Sequence, residues 1–515
     1  MLATESPIAA RPSARWRNLK RLGWVALAVL LITIVVRLAW GMIAWRRLDN
    51  QLDAYRRSGQ PVDVWELNAQ LDKVPPQRNK AVPLETALDE MVLVLDSGVS
   101  IEDFYSQPYG TMFTTHPAEA RELFAKNAHT LQLVRKAKDL PDTAWSTRLA
   151  SGTLGQSLSA KRNLVRLLHF AVAFQFRQGD HQGAISTLRD FMSFSDSIAA
   201  PHGFVNCLVS WTCYDMSLLL IEDYFVQLQV DDPTVSGSGS IVPARRSNVE
   251  HVITDLLQVD DMREFAIRER LGKRASVLHE LQSLEYARVS GVAAWSTAPW
   301  KQVVNTALHP ILVLDTLRSV RVYTDLAATF HEQTMPLALE RFPHESTEPG
   351  LIGRLVRPCT SSWTLTLYSG ERRYVELYYR SLARRRMAAI AVAVRLFEID
   401  HQRQPEALAE LIPDYLAELP LDPMTREGRA FGYKPQEEPP IMYCVGLDGV
   451  DHGGKRILKP DGRIDRHKSD LVFRLEPKPE QVTSDGQTGD DKNKKEDQRG
   501  NDQEPKQPEN KQDKR

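Results

Sequence analysis

At 515 residues the chain exceeds the usual size of one domain, so two or more folded units and a sizeable core are expected. Its 65 basic and 66 acidic residues leave a formal charge of -1, so no global basic field points to nucleic acid as the main partner. Cys207, Cys213, Cys359 and Cys444 are too few for a disulfide scaffold and lack C-x-x-C or zinc spacing, which leaves them as buried apolar thiols.

Residues 1–21 form a basic N-terminus with Arg11, Arg15, Arg17, Lys20 and Arg21. The run LGWVALAVLLITIVV that follows carries no charge, and the apolar stretch 22–45 exceeds the roughly 20 residues needed to cross hydrocarbon. Trp24, Trp40 and Trp45 stand where interfacial aromatics belong, so 22–45 is predicted to be a transmembrane helix. Arg37 is near enough to the distal end for its stem to snorkel to the headgroups. A cleaved signal peptide competes with this reading, but the apolar run is too long and no small-x-small cleavage site follows it. The basic cluster favours a cytoplasmic N-terminus, an inner-membrane address and an extracytoplasmic bulk; Arg46, Arg47, Arg56 and Arg57 beyond the helix weigh the other way.

The fold class expected beyond the anchor is mainly α. Region 46–235 shows helical periodicity, best seen where Leu164, Leu167, Leu168, Ala171 and Phe174 share one face. Gly179 and Asp180 break the pattern, and Ala184, Ile185, Leu188, Phe191 and Met192 resume it, which describes an antiparallel hairpin. The turn, GDHQGAI, resembles the inter-helix turn of tetratricopeptide repeats through Gly179, Ala184 and Leu188, and the region is expected to be repeat-like without a fixed period. A linker at 236–247 opens with SGSGS, a second helical region covers 248–370, and a break at 341–350 precedes a long helix. The tail, 476–515, holds one aliphatic side chain, Val482, and is expected to be disordered.

Spacings that chemistry imposes are missing: there is no phosphate loop, H-E-x-x-H helix, G-x-S-x-G elbow or dinucleotide fingerprint. His331 and His344 lack a second histidine at helical spacing and read as ordinary surface or interface side chains. The stretch with Arg372, Arg373, Arg380, Arg384, Arg385, Arg386 and Arg395 could track phosphates. The stripe of Tyr374, Tyr378, Leu382, Ala389, Val392 and Leu396 within it instead predicts an amphipathic helix whose arginines are solvated or paired with acids.

Region 371–475 reads as that long helix plus a small α+β module. Pro405 and Pro413 bracket a short helix with Leu408, Leu411 and Ile412, and Pro420 and Pro423 stop it. Residues 441–445 and 471–475 are β-prone, and Asp448-Gly449 between them is a turn signal, so an antiparallel sheet is expected.

Pro405, Pro420, Asp422, Pro423, Tyr433, Gly446, Asp448, Gly449, Gly453, Gly454, Asp470 and Leu471 follow one another in an order that resembles the C-terminal globular part of type II secretion major pseudopilins. Two departures stand out. Met424 replaces an aromatic after D-P, and the N-terminal anchor lacks the processing site and glutamate of pilins, so polymerisation as a pilin is not expected. The family's loop binds calcium, and the resemblance implies a ligand role for Asp448 and Asp470. Asp451 adds a third carboxylate, and calcium's demand for six to eight oxygens fits such a set better than zinc's preference for nitrogen and sulfur. A plain Asp-Gly turn and a catalytic loop remain the alternatives.

The function expected is that of a single-pass envelope protein with a non-catalytic interaction or scaffold role. It would meet membrane lipid through 22–45 and a protein partner from a secretion or envelope assembly, and would bind no nucleic acid. The layout also resembles uncharacterised single-pass bacterial envelope proteins. The rival is a membrane-anchored enzyme with its site in the helical region.

Overall fold

A computed structural model describes residues 14–106, 111–148, 154–200, 203–231, 241–290, 299–342, 363–461 and 463–476. Cys359, the SGSGS joint, residues 343–350 of the expected break with His344, and the tail from 477 onward lie outside the described residues. The first helices are α1 (Ala14–Arg57), α2 (Val64–Asp72), α3 (Ala81–Glu90), α4 (Asp103–Ser106), α5 (Thr111–Thr115), α6 (Pro117–Lys126) and α7 (Ala128–Lys138). Then come α8 (Leu154–Arg177), α9 (His181–Ser197), α10 (Phe204–Tyr224), α11 (Arg246–Leu257), α12 (Asp260–Ser290) and α13 (Pro299–Thr329). Finally α14 (Met335–Arg341) and α15 (Trp363–His401) lead to three strands, β1 (Gly432–Lys434), β2 (Ile441–Cys444) and β3 (Leu471–Arg474).

No proline interrupts α1, and its 44 residues make a rod roughly 65 Å long at about 1.5 Å per residue. Its two halves meet different surroundings. In the first, Leu22, Trp24, Val25, Ile32 and Val35 are exposed. In the second, Ala44, Leu48 and Leu52 are buried against Leu278 and Leu281 of α12 and Val313, Leu317 and Val320 of α13. Gly41 marks the change: a Cβ there would stand 3.2 Å from Nη1 of Arg37 and 3.9 Å from Cγ of Pro310. The Arg37 side chain therefore folds along the helix toward its distal end. Among the described residues, α10 is also apolar enough to span a membrane, but 56% of its apolar window is buried, as in a core helix.

The α8–α9 hairpin forms as its periodicity predicts. Leu164, Leu167, Leu168 and Ala171 of α8 and Ala184, Ile185, Leu188 and Phe191 of α9 are buried in one core. Gly179 takes φ +78° in the turn, and Asp180 caps α9 by accepting from the Gly183 N–H at 2.8 Å. The segment read as linker is tied down beyond residue 240. The Val242 N–H donates to the Gly179 carbonyl and the Ala244 N–H to that of Gln229, both at 2.8 Å.

One buried apolar group runs from Ala81 through α8 to α11 and α15 to Phe473 in β3, and a second joins α1, α12 and α13. The main core thus continues across positions 248 and 371. At its centre is α15, buried on several faces: Tyr374, Tyr378, Leu382 and Val392 on the expected stripe, and Val375, Tyr379, Ala388 and Ile390 off it. Alanines at 388, 389, 391 and 393 let neighbouring elements approach. Four of its arginines are spent inside the protein. Arg384 donates to Asp215 at 2.9 Å, Arg385 is paired with Asp196, Arg386 donates to the Leu421 carbonyl at 2.7 Å, and Arg395 reaches Glu398 at 3.1 Å.

The segment between Pro405 and Pro413 makes only a 3-10 turn at Leu408–Leu411, because Ile412, placed before a proline, is held extended at φ -103°, ψ 136°. The sheet has the order β1-β2-β3, antiparallel throughout, with Tyr433 opposite Met442 and Tyr443 opposite Val472. Gly432 is opposite Tyr443, whose ring leaves no room for a Cβ.

Asp422 of the P-L-D-P stop joins that turn to the sheet. Its Oδ1 accepts from the Met424 N–H at 2.8 Å and its Oδ2 from the Val445 N–H at 3.1 Å, and the residue is 2% exposed. Burial outweighs these hydrogen bonds and pushes its pKa up from 3.8 to about 6. A carboxyl with a raised folded-state pKa contributes its stability fully below 3.8 and loses it as the pH rises through about 6. Asp422→Asn is expected to flatten that decline in a series of thermal melts of the full chain from about pH 4 to 7. A variant with the wild-type slope would assign the decline to another group.

Candidate functional site

The aspartates singled out in the sequence lie in the β2–β3 loop and at the start of β3, where glycines permit tight turns. Gly449, Gly453 and Gly454 take φ of +72°, +68° and +77°. Asp448 and Asp451 each close a local turn: their Oδ1 atoms accept from the N–H groups of Val450 at 3.1 Å and Gly453 at 2.8 Å. Asp448 Oδ2 also faces Nε2 of His452 at 3.4 Å. Asp470 is 5% exposed, and its Oδ2 accepts from the N–H groups of His452 at 3.0 Å and Gly454 at 2.8 Å. Burial raises the Asp470 pKa, against the pull of these two N–H groups.

The loop is therefore fastened to β3 through Asp470, while Asp448 and Asp451 stabilise their own turns. Among the described residues, no group of three or more His, Cys, Asp and Glu side chains is placed to hold a metal ion. A cation at this loop would find one oxygen of each carboxylate already engaged by backbone N–H groups.

A second site, unmarked by any spacing in the sequence, is a polar cleft of about 200 Å³ in the helical body. Lys80 stands before α3, Lys138 ends α7, Arg189 and Asp196 come from α9, Asp255 from α11 and Asp261 from α12. Tyr214 of α10 also lines it. Arg189 donates to both oxygens of Asp255, at 2.6 and 3.3 Å. Behind Asp196 lies Arg385, fully buried, with one donation at 3.3 Å and its guanidinium 3.4 Å from the centre of the Tyr214 ring. Burial raises the pKa of Asp196 and Arg385 opposes it. Arg189 is thus matched by Asp255, and Arg385 by Asp196.

The thiols nearby are not activated. Cys207 and Cys213 are buried, and desolvation pushes both up to about 12, far from a thiolate at neutral pH. Ser197 donates its hydroxyl to the Phe194 carbonyl at 2.6 Å.

Compared with known protein families, curated proteins and solved structures, the chain matches none.

The Arg385–Asp196 pair should matter for stability. Removing one partner of a buried pair leaves the other desolvated and unmatched, which costs about 3 kcal/mol or more. Arg385→Ala is expected to lower the unfolding free energy by that amount in denaturant titrations of the full chain in detergent. A loss below about 1 kcal/mol would place the pair in effective contact with water.

Proposed function

We propose that this chain is a single-pass envelope protein of the inner membrane, anchored by residues 22–45, whose extracytoplasmic body has a non-catalytic interaction or scaffold role. The observation that carries this reading is the division of α1. Its first half exposes Leu22, Trp24, Val25, Ile32 and Val35, side chains that water disfavours and lipid accepts, while its second half is part of a packed core. Arg37 bends toward the boundary between the two, where a snorkelling side chain would reach headgroups. The helical middle, an array of repeat-like character, supplies surface for a protein partner from a secretion or envelope assembly.

The C-terminal module belongs to the same proposal as a pseudopilin-like unit. Its support is the placement of Asp422 and Asp470, which tie the P-L-D-P stop and the glycine-rich loop to one sheet. Calcium enters as a stabiliser of the loop through Asp448, Asp451 and Asp470, with a net gain reduced by the N–H bonds it displaces. A second reading, a membrane-anchored enzyme, is favoured by one observation, the polar cleft at Tyr214.

Three measurements test the proposal. The protein should stay in the membrane pellet after alkaline carbonate extraction, and protease added to spheroplasts should remove the region beyond residue 45. Release by carbonate overturns the anchor, and complete protection reverses the orientation. For the metal, the full chain in detergent should melt at a higher temperature in millimolar calcium than in chelator, by mass action on the folded state. The rise should disappear in Asp448→Ala. Identical wild-type melts in calcium and chelator would leave the loop a hydrogen-bonded turn.

A further inference from the structure

The arginines of α15 that face the helical body hold acids or carbonyls, but three around the C-terminal sheet do not. Arg380 of α15, with Arg456 and Arg466 of the β2–β3 loop, lines one cavity of about 240 Å³. None of the three side chains makes a hydrogen bond or an ion pair among the described residues. Arg380 is partly buried; desolvation lowers its pKa, and Arg384, Arg373 and Arg466 push the same way. The acid that opposes them, Asp215, is already hydrogen-bonded by Arg384 at 2.9 Å.

Met424, Val445 and Leu471 give the cavity an apolar part, and Asp470 lines it as well. The two partners of Asp470 are both on Oδ2; its Oδ1 is buried and accepts nothing. Arg380 is partly withdrawn from water without a counter-ion, which costs free energy, and gathering the exposed Arg456 and Arg466 at the same cavity adds repulsion. Leaving a buried carboxylate oxygen without a donor costs more. Both costs are relieved by one kind of ligand, which brings an anion to the arginines and a donor to the aspartate. Guanidinium forks match the oxygens of a phosphoryl group, three of them free on a monoester and two on the diester of a phospholipid, and their tetrahedral spread suits three forks better than a planar carboxylate does. The volume admits a headgroup-sized molecule and falls short of a drug-sized one.

We propose that this cavity binds a phosphoryl group carried on a small hydroxylated ligand, with Arg380, Arg456 and Arg466 on the phosphoryl oxygens and Asp470, once a turn of its side chain brings Oδ1 to the cavity, accepting from a ligand hydroxyl. Two sources share that chemistry, a soluble phosphate ester and the headgroup of a phospholipid.

The test uses the full chain in neutral detergent, with chelator present so that calcium at the loop plays no part. Inorganic phosphate, glycerol 3-phosphate and dihexanoyl phosphatidylglycerol are titrated by calorimetry. Glycerol 3-phosphate should bind more tightly than inorganic phosphate, and Asp470→Asn should erase that preference while phosphate binding persists. Arg456→Gln combined with Arg466→Gln alters two exposed side chains, so the melting temperature should hold while affinity for every probe falls about tenfold or more. Tighter binding of the lipid than of glycerol 3-phosphate assigns the site to a headgroup, and the reverse order to a soluble ester. Wild-type affinity in the double variant, or no binding of any probe below about 10 mM, overturns the proposal.

Discussion

The fold depends on burying α15, a helix whose sequence carries arginine on nearly every face. Ordinary amphipathic packing cannot achieve this, because turning any one side inward brings a charge with it. The body resolves the conflict by meeting charge with charge. Asp196 of α9 takes Arg385, Asp215 and Glu222 of α10 take Arg384, and the Leu421 carbonyl takes Arg386. The helices around α15 are thereby fixed in register as well as in contact, since an acid displaced by one residue would leave a guanidinium unmatched. The cleft at Tyr214 is the outer rim of the same arrangement, where Asp196 is the last member of the matched set before solvent.

Local features of the fold were legible in the sequence where a short-range rule governs them. The α8–α9 hairpin follows from apolar residues three and four apart and from a Gly-Asp turn that requires a positive φ. Strands β2 and β3 follow from short β-prone runs, and the stop at Asp422 from its flanking prolines. The exposed apolar half of α1 is read directly from uncharged residues. The apolar stripe of α15 was legible, but its burial on further faces was not, because spacing leaves its arginines either solvated or paired with acids until their partners are known. Arg385 and Asp196 are 189 residues apart, and no periodicity links them.

The candidate sites divide along the same line. Asp448, Asp451 and Asp470 attract notice through their neighbouring glycines, and the turns those glycines allow are present. Which atom each carboxylate accepts from is a matter of loop geometry that spacing does not encode. The cleft residues come from six separate helical neighbourhoods, and the cavity arginines from a helix and a loop, so neither set leaves a motif. Unmatched charge is the signal that finds the second of them, and it is visible only once Arg384, Arg385, Arg386 and Arg395 have been traced to their partners.

The continuity of α1 has a mechanical consequence. Its exposed apolar half and its packed half are one uninterrupted helix, with α13 seated on the distal part from Gly41 onward. A flexible stalk would let the body swivel independently of whatever surrounds the first half. A rigid rod does not: a tilt imposed near residue 22 is delivered undiminished to the contacts of Leu48 and Leu52 with α12 and α13, so the helix works as a lever whose short arm is built into the core.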